Sequence, residues 1–241
     1  MFGVSAIHGF TLPFYHFSRS YFFKSCESYR FVLKHYNSVF KDNSMGKIFC
    51  FCGECELTVA SDSALGSYLC GCQDCRQAAQ WAEFKGGQKA KILQKDIYVL
   101  SDIIDVKGLQ HMKAYLLRAG GLSTRVYCNL CYSILGIDFP AYNDTRFMFL
   151  EGHCITDLDI SMNPVLAINM VDFPKGKTPD LPQGIKIVSS IHDPDKSWTQ
   201  LPKVKRIRET FPSNRGKRFS QLLNEIGPPK ILELEPGLMP K

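Results

Sequence analysis

Cys70-Gly71-Cys72-Gln73-Asp74-Cys75 puts three sulfurs within reach of one soft metal ion in six residues. Thiolates are the donors zinc holds best, and a structural zinc closes with four protein ligands while a reactive one keeps a position open. No fourth donor stands beside the loop, so it reads as an open site. Gly71 lacks a Cβ and lets the backbone curl so that neighbouring amides can point at sulfur. Working outward, Cys50-Phe51-Cys52 lies upstream and Cys128-Asn129-Leu130-Cys131 downstream. If these pairs meet in space they close a tetrahedral site that clamps the start of a domain to its far end. The expectation is therefore two zinc ions with different tasks. Cys50, Cys52, Cys128 and Cys131 would surround a structural one, and Cys70, Cys72 and Cys75 one of catalytic type.

The chain has 241 residues and a formal charge of +6, a surplus too mild to imply nucleic acid, and no run approaches the length of a membrane span. Of its ten cysteines, seven fall in C-x-C, C-x-C-x2-C and C-x2-C clusters, where neighbours seldom pair with each other. Metal explains them better than a disulfide framework, and with no secretory leader pattern the expected compartment is reducing and cytoplasmic. Cys26, Cys55 and Cys154 would then be free thiols. Cys55 lies close enough to Cys50 to be an alternative ligand, although a buried small apolar role suits it better.

Residues 1–44 show neither helical nor strand period and read as a poorly ordered extension. Their low acid content leaves organellar targeting open, and Met45 is an alternative start. From residue 47 the pattern turns to short β-branched and aromatic runs at 47–51, 56–60, 67–70, 96–101, 112–118, 122–127 and 146–150, bounded by Gly, Asp, Asn and Ser, so residues 45–173 should form a mainly β domain. Only 76–84 looks helical there. That helix would aim its positive end at the three-cysteine loop, with Arg76 adding a full charge and Asp74 serving the turn. Residues 174–241 read as a linker, a weak strand at 185–191, a basic run from Lys203 to Arg218, and a helical appendage. In the appendage Phe219, Leu222, Leu223 and Ile226 follow helical spacing, Ser213 or Asn214 caps the start, and Gly227-Pro228 stops it. The apolar face of this helix must bury within the chain or on a protein partner. His111, His153 and His192 sit in no ligand spacing. His153 beside Cys154 is not a nucleophile pair, since adjacent strand residues face opposite ways.

The order C-x-C-G, C-x-C-x2-C-R and a distant C-x2-C resembles the glutathione-dependent formaldehyde-activating enzymes, a family that includes centromere protein V. All seven cysteines match in order and approximate separation, over residues 47–173. The resemblance implies a zinc-bound fold of several small antiparallel sheets. It also implies the same division of ligands reached above by counting donors, and carbon-sulfur lyase or synthase chemistry on a small thiol adduct resembling S-hydroxymethylglutathione. No catalytic residue beyond the metal ligands is implied. Three positions depart from the family pattern: Gly71 stands where many members have His, Ala79-Gln80-Trp81 where a Gly follows the loop, and Tyr132 where Gly follows the last cysteine. The alternative function, prompted by centromere protein V, is a non-enzymatic zinc-stabilised binding module contacting a protein through the C-terminal helix. An iron-sulfur cluster on the same thiols is a lesser alternative.

Overall fold

A computed structural model of the chain describes residues 44–233, so the expected N-terminal extension lies outside the described residues. In chain order the elements are β1 (Gly46–Phe49), β2 (Glu56–Val59), β3 (Gly66–Cys70), α1 (Gln73–Phe84), β4 (Gln94–Leu100), β5 (Ile103–Lys107), β6 (Met112–Leu116), β7 (Thr124–Cys128), β8 (Ile134–Asp138) and β9 (Arg146–Leu150). They are followed by β10 (Ile155–Thr156), β11 (Leu166–Ile168), β12 (Lys186–Ile187), α2 (Pro202–Glu209), α3 (Phe219–Ile226) and β13 (Lys230–Ile231). The fold is mainly β, as expected.

The strands form two sheets, not several small ones. One has four strands in the order β10-β1-β2-β5, the other nine in the order β12-β11-β3-β4-β9-β8-β7-β6-β13. The larger sheet is mixed, since β11 runs parallel to both β3 and β12, and β13 parallel to β6. Both of its faces are covered, which explains why β3 and β9 are buried at every position and do not alternate with polar residues. Tyr68, Tyr98, Tyr127 and Leu150 share one core with Ala78, Ala79 and Trp81 of α1. Ile97, Val126, Cys128 and Phe149 face a second core with Ile48 and Leu57 of the small sheet. The architecture is thus helix, large sheet, small sheet, with β3 and β7 delivering cysteines from the middle layer.

The segment after residue 174 is woven into this arrangement and is no appendage. Strands β12 and β13 lengthen the large sheet at both edges, and Val204 and Ile207 of α2 join the first core. The expected helix exists as α3, but its apolar face packs inward: Phe219 and Leu222 are fully buried, with Leu223 and Ile226 against the same core. Phe219 stacks on Phe147 with ring centroids 4.5 Å apart. A Cβ at Gly136 would come within 2.5 Å of that ring, so only glycine lets it seat. The surface reserved for a protein partner is thereby consumed within the chain. The cap also differs from expectation, with Arg218 at the N-cap donating its N–H to Gln221 Oε1 at 2.7 Å. Ser213 instead donates to Asp102 through its amide, at 2.8 Å, and its hydroxyl. Among the described residues no helix is long and apolar enough to cross a membrane.

Candidate metal centres

Cys50 follows β1 and Cys52 lies in the turn after it, where Gly53 N–H closes back on Cys50 O at 3.0 Å. Cys128 ends β7 and Cys131 lies in the tight turn to β8, where Tyr132 adopts φ 56°. Ser133 joins the two turns: its Oγ accepts from Phe51 N–H at 3.0 Å and lies 3.2 Å from Cys131 Sγ. All four sulfurs fall within 4.8 Å of one another, Cys50 to Cys52 at 3.3 Å and Cys52 to Cys128 at 3.7 Å. Four donors at a zinc-sulfur distance of about 2.3 Å from a common centre lie about 3.8 Å apart, so this spacing suits a tetrahedral ion. A disulfide needs about 2.05 Å, and every described cysteine is free. Cys55 stays outside the group. It is fully buried, with its thiol donating to Gly108 O at 3.6 Å and its amide to Cys50 Sγ at 3.1 Å.

The three-cysteine loop is built at the junction of β3 and α1. Cys70 ends the strand, and Gly71 N–H bonds Ile168 O of β11 at 2.9 Å. A Cβ at Gly71 would stand 3.0 Å from both Asn169 O and Met170 Sδ, so the close pass over the β11 end favours glycine. Cys72 is the N-cap of α1, its sulfur accepting from Cys75 N–H at 3.2 Å, and the helix therefore begins at Gln73, a turn earlier than its sequence suggests. Cys70, Cys72 and Cys75 lie within 4.8 Å of one another, Cys70 to Cys75 at 3.9 Å, and among the described residues no fourth Cys, His, Asp or Glu joins them. Cys70 and Cys75 are buried, while Cys72 is partly open.

The electrostatics of both groups suit a cation. Three sulfurs so close cannot all ionise unaided. Cys72 is held down to about 3 by hydrogen bonds from the Cys70 and Cys75 thiols, while its own proximity drives Cys70 well above the ordinary thiol range. In the four-cysteine group burial pushes Cys128 up to about 12, whereas Ser133, against the effect of burial, helps bring Cys131 down to about 6. A bound cation reverses this competition by favouring thiolate at every donor.

Arg76 does not meet the sulfurs as a free charge. Its guanidinium is taken up by the carbonyls of Gly71 and of Asp172, the latter at 2.6 Å, which ties the loop to the segment after β11. Asp74 pairs at the surface with Arg118. Sequence reasoning missed three polar side chains on the sheet face beneath α1. Gln94 lies opposite Cys70 across the β3–β4 pair, Asp96 opposite Tyr68, and Arg125 on β7 precedes Tyr127 on the same face. All three are buried, and Gln94 Oε1, Asp96 Oδ1 and Arg125 Nε have no hydrogen-bond partner. Burial, then the Cys72 charge, lifts the Asp96 carboxyl well above the usual carboxylate range. Their only sequence signal is a polar residue within a strand-like run.

Of the departing positions, Gln80 is exposed, whereas Trp81 and Tyr132 meet edge to face at 5.5 Å. Trp81 also touches Tyr115 and Tyr127, both with ring centroids at 5.3 Å. Aromatic packing thus fills the side of α1 that lies beyond the loop. Comparison with protein-family models and with curated proteins finds no match to this chain.

Proposed function

We propose that the chain is a two-zinc protein of the glutathione-dependent formaldehyde-activating type, with Cys50, Cys52, Cys128 and Cys131 holding a structural ion and Cys70, Cys72 and Cys75 a reactive one. The observation that carries this reading is the contrast in donor number: four gathered sulfurs in one group and three in the other, with no fourth Cys, His, Asp or Glu among the described residues lying within 4.8 Å of all three. A zinc ion held by three thiolates supplies a position for an outside thiol, keeping it deprotonated near neutral pH. Cys70, Cys72 and Cys75 fix that position, Arg76 holds the loop closed, and Asn169 directs its amide toward Cys70 Sγ at 3.9 Å. Three anionic donors weaken the ion as a Lewis acid, so placing the thiol matters more than polarising a carbonyl.

The corresponding reaction adds a thiol to an aldehyde. A carbon-sulfur bond forms, the carbonyl becomes a hydroxyl, and the thiol proton ends on that oxygen; the reverse reaction cleaves the adduct. The expected result is that zinc-loaded protein accelerates adduct formation between a small thiol and formaldehyde, and that Cys72→Ala abolishes it with an unchanged circular dichroism spectrum. Equal rates with and without protein would refute the enzymatic reading. The Trp81, Tyr127 and Tyr132 cluster favours a second one, in which these packed rings belong to a zinc-stabilised module that binds without turnover. Thiol-induced changes in the absorption of the cobalt-substituted protein, without adduct formation, would support that alternative.

A further inference from the structure

Arg125 is the second residue of β7, 2% exposed, among apolar and aromatic neighbours. Its Nη1 donates to Ser123 O at 3.1 Å, its Nε has no partner, and no ion pair among the described residues includes it. A guanidinium stays charged at any pH a protein tolerates, and burying one alone is costly. Arg146, the other buried arginine, offsets that cost by donating to the carbonyls of Ile207 and Arg208 at the C-terminal end of α2. Arg125 has the single carbonyl of Ser123.

The register turns Arg125 toward the face beneath α1, with Tyr127, whose hydroxyl reaches Ala78 O in that helix at 3.3 Å. Arg118, two residues beyond the end of β6, pairs with Asp74 of the cysteine loop, and β6 ends opposite Thr124 with Tyr115 facing Arg125, so the end of the β6–β7 pair that carries Arg125 lies toward the loop. Three thiolates on a divalent ion leave a net charge of about −1, which is itself expensive to bury without a counter-charge. We propose that Arg125 is the counter-cation of the three-cysteine centre, a positioning residue that makes the loaded, negatively charged site tolerable inside the fold. The inference rests on the metal reading given above. It also accounts for a buried arginine within a core strand, and assigns to β7 the charge that the sequence suggests for Arg76.

The test uses the full chain loaded with zinc, and measures affinity by competition with a chromophoric chelator. Two steps are expected in the unaltered protein, and Cys72→Ala identifies the one belonging to the three-cysteine centre. Arg125→Met keeps the reach and removes the charge; it should weaken that step about 10- to 100-fold and leave the other alone. Arg125→Lys, which keeps the charge, should stay close to the unaltered protein, as should Asp96→Asn. An unchanged step in Arg125→Met, or equal losses in the Lys and Met variants, overturns the proposal. A comparable loss in Asp96→Asn would assign Arg125 to Asp96 and overturn it too. Should Arg125→Met not fold, Arg125→Gln carries the same expectation. Absence of the second step in the unaltered protein would instead be a failure of the metal reading itself.

Discussion

Asp102 shows how much a single side chain can hold in this fold. It is 1% exposed and takes hydrogen bonds from the Ser213 amide and hydroxyl and from Gly216 N–H, the last at 2.6 Å, anchoring the stretch that leads into α3. Bonds to a carboxylate are worth about 1.5–3 kcal/mol each but do not add, so Asp102→Ala should cost about 2–4 kcal/mol in chemical denaturation. It should also speed amide exchange at residues 213–217, and unchanged exchange there would contradict this role. His153 supplies a pH dependence. Its ring is 1% exposed with neither nitrogen hydrogen-bonded, and burial holds it down to about 4. A histidine kept neutral in the fold, against about 6.5 unfolded, contributes stability that is present above 6.5 and lost as pH falls toward 4. Relative to His153→Leu, the unaltered protein should lose about 3 kcal/mol across that window. Parallel stability curves for the two would refute it. At this scale the seven clustered cysteines are legible in the sequence because their spacing is local. Asp96 and Arg125 are not, because only strand pairing brings them beneath α1.

The elements divide the two centres between different structural tasks. The four-cysteine group links the turn after β1 to the turn after β7, across two sheets, whereas the three-cysteine group joins one strand end to the helix that follows it. A structural zinc contributes on the order of 10 kcal/mol, comparable with the whole net stability of a domain. Cys128→Ser should therefore abolish cooperative unfolding, while Cys72→Ser should leave a cooperative transition; similar behaviour of the two would contradict the division. Helix α1 was legible only from Arg76 onward, because a cysteine N-cap is outside the usual Ser, Thr, Asp and Asn set. Strands β1 to β4, β6, β7 and β9 announced themselves by β-branched and aromatic runs, whereas β5 and the buried β8 were not among the runs picked out. The short strands β10, β11 and β13 did not, since two or three residues carry no periodicity and pair only because a sheet edge is waiting; β12 falls within the weak strand expected at 185–191. Helix α2 was hidden by its basic residues, with Val204 and Ile207 its only buried positions.

At the scale of the molecule, the C-terminal third completes the core. Phe219 fills the space that Gly136 leaves open against Phe147, so Phe219→Ala should cost about 3–5 kcal/mol, read from urea or guanidinium unfolding. A loss below 1 kcal/mol would mean the helix is only lightly attached. Sequence composition marked this region as linker and appendage because Pro, Gly and Lys dominate it. Its few apolar residues are nevertheless the ones that close both cores. The mainly β class was readable from strand patterns, but the division into one small and one nine-stranded sheet was not, since it depends on parallel pairings between segments distant in the chain.

The central claim is that two groups of sulfurs hold two ions independently. Elemental analysis of the purified full chain tests it most directly, before and after Cys70, Cys72 and Cys75 are together replaced by alanine. The account predicts two zinc ions per chain, falling to one with the far-ultraviolet circular dichroism spectrum retained. One ion or none in the unaltered chain, or two surviving the replacement, would contradict it.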